Sequence, residues 1–295
     1  MRRKLIIDNA NASWRRASFF CWVFCLSQLV LIGCVGGISN INFFSDQEEA
    51  DLGEQFAREI EKDLDINDDA DLNSYVQELG QLLVSHSKRH NITYTFKIVN
   101  SEEVNAFAIP GGHVYINVGL LRMSETESEL AGVIAHEIGH VVERHGMKQL
   151  TKQVGMVMIS QLIFGEDPDK IQEIISQIIL SGVLMKYSRD AERGADRNAV
   201  EITYAAALNP SGIVKFFNKL QRQKSRKNSQ VSTRIQKLTS SHPLTSERIS
   251  NVEKLISELS PLPLSQRNVQ RFLRLKKKLP PLKESDLREV GRQDF

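Results

Sequence analysis

The chain has 295 residues, of which 41% are hydrophobic, 25% charged and 7% aromatic, with 8 prolines and 17 glycines. That balance excludes disordered, collagen-like and low-complexity architectures, and it suffices for one sizeable domain with an appendage. The formal charge of +2 falls to about −2 once the five basic residues and one acid of the first 33 positions are set aside, so no nucleic-acid partner is expected.

Those first positions have the layout of a secretory signal. Arg2, Arg3, Lys4, Arg15 and Arg16 precede an uncharged apolar run over residues 19–32, and the small residue Gly33 follows it. Leu31-Ile32-Gly33-Cys34 resembles a bacterial lipobox, in which the cysteine is lipidated and becomes the mature amino terminus. Residues 1–33 are therefore expected to be a lipoprotein signal peptide, with Cys34 the lipidation site and 34–45 a linker. The alternative is a single uncleaved membrane anchor, since residues 19–38 approach the ~20 residues that span a bilayer. In either case the basic flank keeps the remaining chain outside the cytoplasm. Cys21, Cys25 and Cys34 are the three cysteines, so a disulfide framework or cysteine zinc site beyond residue 34 is excluded.

From residue 46 to 62, Leu52, Phe56 and Ile60 recur at helical spacing, and a second helix carries Leu72, Tyr75, Val76, Leu79 and Leu82. Residues 92–99 alternate and are rich in β-branched and aromatic side chains, which predicts a strand. Two further extended runs, 105–109 and 113–118, flank Pro110-Gly111-Gly112 and predict a hairpin. Ser124 and Glu127 have the spacing of a capping box, so a helix is expected to start at Ser124, to align Leu130, Val133, Ile134, Ile138 and Val141, and to stop at Gly146. Residues 154–164 and 171–185 predict two core or cleft-lining helices, too short to span a bilayer. Another helix is expected over 188–208, ending before Pro210. Pro261 and Pro263 mark the expected end of a domain spanning 46–260, followed by a basic tail over 261–295. The basic runs at 215–237 and 267–283 read as solvated faces or a tail rather than lipid-binding surfaces.

His136-Glu137-Ile138-Gly139-His140 falls within the helix that is expected to begin at Ser124. Positions i and i+4 share a helix face, so both imidazoles can reach one metal ion at about 2.0–2.1 Å. Glu137 then stands beside the metal without binding it, placed to take a proton from water and pass it to a leaving amine. A metzincin would need glycine at 143 and histidine at 146, where the chain has Glu143 and Gly146, so the third ligand has to come from elsewhere. Glu192 is the best candidate, with Asp196 one turn further to hold a ligand imidazole, although such a pair is also common on solvent-facing helices. His86, His90, His113 and His145 read as structural or solvated, His145 as a cation at a helix terminus.

Taken in order, Asn105, Ala106, Phe107 and Ala108 with Pro110-Gly111-Gly112, then the 136–140 motif, then Ser188-Arg189 ahead of Glu192 and Asp196, then His242-Pro243 with Arg248, resemble a family of zinc metallopeptidases. That family includes the CAAX prenyl proteases, the HtpX-like heat-shock proteases and periplasmic quality-control lipoproteins, and the likeness covers roughly residues 46–255. It implies an α+β, mainly helical zincin-type domain with a small sheet. It implies one zinc per chain, held by His136, His140 and Glu192, with Glu137 as general base and Asp196 behind a ligand. It also implies that Asn105 to Ala108 form an edge strand that pairs with an extended substrate, and that His242 and Arg248 stabilise the oxyanion. His242 has a second reading, as a self-inhibitory fourth zinc ligand, because it follows a basic, serine-containing stretch over 221–232 and the site has one open position. The expected activity is zinc-dependent endopeptidase action on misfolded or misassembled envelope proteins, from a lipid anchor on the periplasmic side of a bacterial membrane. The competing reading is an idle binding or chaperone module, against which the intact Glu137 argues.

Overall fold

A computed structural model of the protein describes residues 44–225, 234–261 and 269–279. Cys34, the apolar run before it, residues 226–233 of the basic stretch and residues 280–295 of the expected tail lie outside these residues.

Helix α1 (Asp46–Ile60) opens on a reciprocal capping box, in which the Glu48 peptide N–H donates to Ser45 Oγ and the Glu48 carboxylate accepts from Ser45 N. Helix α2 (Ala70–Ser85) starts at the Asp69 cap and buries Leu72, Tyr75, Val76, Leu79 and Leu83. Three strands follow, β1 (Thr95–Val99), β2 (Ala106–Ile109) and β3 (His113–Asn117), in the sheet order β1-β3-β2. The hairpin β2–β3 is antiparallel, while β1 runs parallel to β3 with Phe96 opposite Val114. Its turn takes Gly111 and Gly112 to φ of +84° and +94°, where a Cβ is strained.

Because strand side chains alternate between faces, the sheet divides the core in two. Phe96, Ile98, Ala106, Ala108, Val114 and Ile116 join one cluster with Leu130, Ile134 and Ile138, whereas Val99, Phe107, Ile109 and Tyr115 join a second with Leu52, Phe56 and Leu150.

After the short helix α3 (Val118–Met123) comes α4 (Glu127–Val142), and its two ends correct the sequence reading. The cap is Thr126, whose Oγ1 accepts from Glu129 N, and Glu129 reaches back to Glu125 N at 2.8 Å. Ser124 Oγ instead donates to Leu120 O, closing the preceding helix. At the other end α4 stops at Val142 rather than Gly146, because Arg144 takes a left-handed conformation (φ 54°, ψ 36°) and α5 (His145–Phe164) begins immediately. Then come α6 (Pro168–Ser181), a 3-10 turn at Val183–Met185, α7 (Arg189–Ala205), α8 (Ser211–Ser225), α9 (Gln236–Ser241) and α10 (Ser246–Ser257).

Beyond Pro261 the chain packs again. Helix α11 (Val269–Lys278) buries Phe272 and Leu275, sets Phe272 6.2 Å from the Tyr75 ring and pairs Arg271 with Glu78 at 2.7 Å. The fold is thus α+β, dominated by helices around a small mixed sheet. No described helix is long and apolar enough to cross a membrane.

Candidate metal centre

The site is made by two helices that approach closely because the contact residues are small. A Cβ on Gly139 of α4 would lie 2.9 Å from Ala195 O and 3.0 Å from Ala195 Cα on α7. That proximity brings the 136–140 face of α4 against Glu192 and Asp196, and all five ionisable groups are buried: His136, Glu137, His140, Glu192 and Asp196.

The donor atoms converge. His140 Nε2 is 3.1 Å from His136 Nε2, and the Glu192 carboxylate oxygens lie 3.5 Å from each of these nitrogens. His242, at the end of α9, adds Nδ1 at 3.4 Å from His136 Nε2 and 3.0 Å from Glu192 Oε1. Ligands about 2.0–2.1 Å from a tetrahedral zinc are about 3.3 Å from one another, so these spacings are those of a metal shell. One ligand atom from each of His136, His140, Glu192 and His242 lies within 4.8 Å of the others, and the set suits one metal ion. Both Glu137 oxygens are buried without a hydrogen-bond partner among the described residues, which fits a cation nearby. Three imidazoles and a carboxylate are zinc's donors, and the residues fit that ion.

Around this set the electrostatics are strongly biased. Burial pushes the Glu137 carboxyl up, opposed by the neighbouring His242 and His136. Burial also drives His140 well below its ordinary value. Against their burial, His242 and His136 hold Glu192 low, and His136 and Arg248 hold Asp196 low. Asp196 Oδ1 sits 3.0 Å from His136 Nδ1, on the side of the ring away from the donor cluster.

Arg248 is brought in by α10, whose Thr245 cap fixes its first turn. Its Nε and Nη2 donate to the two Asp196 oxygens at 2.8 and 2.7 Å, and Nη1 lies 2.6 Å from Glu192 Oε2 and donates to Pro243 O. The family resemblance implies an oxyanion role for this guanidinium; in the structure it faces the two carboxylates. His242 Nε2 is 3.8 Å from Glu137 Oε1, inside the donor cluster. Ala106 to Ala108 lie in β2, an edge strand of the sheet, and the Asn105 carbonyl just before it accepts from Asn117 N at 3.0 Å.

Two residues of the site were not singled out by sequence reasoning. Tyr187, just before the Ser188 cap of α7, stacks on His140 with ring centroids 3.9 Å apart, and burial together with Glu137 and Glu192 pushes its phenol up. Its signal was an aromatic residue immediately ahead of the Glu192 helix. His145 is not a helix-terminal cation: it begins α5, is 8% exposed, and burial drives it down to about 4.

Comparison with known proteins places the whole domain in a wider context. The chain is 27% identical over 236 residues to the beta-barrel assembly-enhancing protease of Escherichia coli (strain K12), covering 77% of this chain and 47% of that protein. It is 28% identical over 165 residues to metalloprotease YcaL of the same organism, covering 55% and 62%. A third similarity, 23% over 186 residues, is to the mitochondrial metalloendopeptidase OMA1 of Schizosaccharomyces pombe, covering 62% and 53%. The chain spans about half the length of the first of these relatives. Residues 70–256 match Peptidase family M48, a stretch running from α2 through the helix that carries Arg248, and on this match the chain belongs to that family.

Proposed function

We propose that this chain is a zinc-dependent metalloendopeptidase that cleaves misfolded or misassembled proteins of the bacterial envelope. The observation that carries the reading is Glu137, a buried carboxylate with no full hydrogen bond among the described residues, set beside a four-residue donor cluster. His136, His140 and Glu192 are the proposed metal ligands. Bound zinc supplies Lewis-acid polarisation of a carbonyl and lowers the pKa of water. Glu137 accepts the proton of the attacking water and delivers it to the departing amine. Asp196 fixes the His136 ring through Nδ1, and Arg248 braces Asp196 and Glu192 in turn. β2, with Asn105 before it, offers the extended backbone to which a peptide can add.

His242 acts either as the oxyanion donor or as a fourth ligand that closes the site, and its Nδ1 beside Glu192 and His136 favours the second in the resting protein. Arg248, engaged by carboxylates, serves His242 and the oxyanion only indirectly. The relatives named for enhancing β-barrel assembly, and the lipobox at Cys34, support an envelope location with a lipid anchor. Mass spectrometry of the mature amino terminus tests the anchor: a diacylated Cys34 supports it, and an intact Met1 rejects it in favour of a membrane-spanning start.

The activity is tested by incubating the purified chain with an unfolded protein, with a zinc chelator and after zinc is restored. Chelator-sensitive cleavage that returns with zinc is the expected result. An intact substrate under every condition, together with stable binding of it, would support a chaperone-like module instead.

A further inference from the structure

His140 has an outer partner that neither the motif nor the charge pattern points to. His145 Nδ1 lies 3.1 Å from His140 Nδ1, with the rings steeply inclined at 68° and centroids 5.0 Å apart. Two imidazole nitrogens can share a hydrogen bond only when one of them carries the proton. The other nitrogen of His140, Nε2, faces His136 and Glu192 and has to be bare to bind a metal, so the His140 proton sits on Nδ1. His145 Nδ1 is then the acceptor, and the His145 proton sits on Nε2. We propose that His145 is a positioning residue, which accepts the Nδ1 proton of His140 and so fixes the tautomer and ring orientation in which His140 binds zinc. The proposal rests on the reading of His140 as a metal ligand.

The backbone is arranged to put His145 there. Continued helix after Val142 would carry residue 145 past the His140 ring, but Arg144 turns left-handed, a conformation uncommon outside glycine, and directs the next side chain back. That corner is held from outside: Arg144 Nε donates to the buried Glu49 at 2.5 Å, and Nη2 donates to Phe44 O at 2.9 Å, both at the start of α1. On the far side, a Cβ on Gly194 would touch His145 Cε1 at 3.4 Å, so α7 packs closely against the ring. The two ligand imidazoles therefore have unlike backing. An anionic carboxylate stands behind His136 and an imidazole behind His140, which divides the orienting work between two kinds of acceptor.

Zinc affinity, measured by competition with a chromophoric chelator on the full chain, tests this with the variants His145→Ala, His145→Asn and His140→Ala, each with its metal-free melting temperature. His145→Ala is expected to bind zinc about 10–100-fold more weakly, and His145→Asn, whose amide oxygen replaces the Nδ1 acceptor, to stay within about threefold of wild type. Equal weakening by alanine and asparagine would overturn the proposal, since packing alone would then account for it. If His145→Ala matches wild type while His140→Ala loses zinc, the proposal fails and the metal site stands. If His140→Ala itself binds zinc like wild type, the reading of the site fails and the proposal with it. Should His145→Ala not fold, nitrogen-15 NMR of the zinc-loaded wild type decides the matter: His145 protonated on Nε2 is expected, and His145 protonated on Nδ1 overturns the proposal.

Discussion

Between α4 and α7 the ionisable side chains are inside, whereas along α5 and α6 apolar side chains are outside. His136, Glu137, His140, Glu192 and Asp196 are at most 4% exposed, while Val157, Phe164 and Leu180 are 77%, 65% and 87% exposed. Burying a carboxylate costs several kcal/mol unless partners or a metal compensate, so the first arrangement depends on the charged neighbours of these groups and on the cation that the donor cluster can hold. Leaving a valine or leucine in water forgoes only about 1.5–3 kcal/mol of burial, and single exposed apolar residues are common. Chemistry is therefore read with more force from charges inside than from hydrophobes outside.

The comparison can be broken most strongly at the charged pair of helices. Glu192→Ala removes a proposed ligand and the carboxylate that Arg248 Nη1 and His242 Nδ1 share, so zinc content and cleavage should both be lost; metal analysis showing wild-type occupancy would move the ligand elsewhere. Asp196→Ala should be milder, about 10–100-fold in zinc affinity, because it affects the metal indirectly, through His136 and Arg248. Gly139→Ala tests the close approach itself: its Cβ would meet backbone atoms of Ala195 at 2.9 and 3.0 Å, and a loss of about 1–3 kcal/mol in denaturant unfolding is expected. The smallest effect belongs to the other region. Leu180→Ser should leave stability within about 0.5 kcal/mol of wild type, and a larger loss would mean that this side chain is covered in the protein in solution.

The sequence carried the parts of this site that depend on local periodicity. His136 and His140 are one turn apart on any helix, and Glu192 and Asp196 likewise, so each pair was legible before any tertiary contact was known. The alternation in β1 and the Pro110-Gly111-Gly112 turn were legible for the same reason. What escaped depended on single backbone conformations and distant partners. Ser124 and Glu127 have capping-box spacing, but Thr126 and Glu129 compete for the same helix start two residues later and win it. Arg144 shows no sequence sign of a left-handed φ, since the contacts that stabilise it come from Phe44, Ser45 and Glu49, nearly a hundred residues earlier. With the helix end misplaced, His145 looked like a terminal cation instead of a neighbour of His140. The basic residues around α11 likewise concealed Phe272 and Leu275, which dock that helix on α2 through Tyr75.

The central claim is that Glu137 performs proton transfer beside a zinc ion that it does not bind, and one pair of readings on a single sample tests it. Glu137→Gln keeps the volume of the side chain and removes its basicity, so the purified variant should hold one zinc per chain and cleave an unfolded protein at least about 10²–10⁴-fold more slowly than wild type. Zinc content matching wild type with cleavage reduced by less than about a hundredfold would contradict the assigned role.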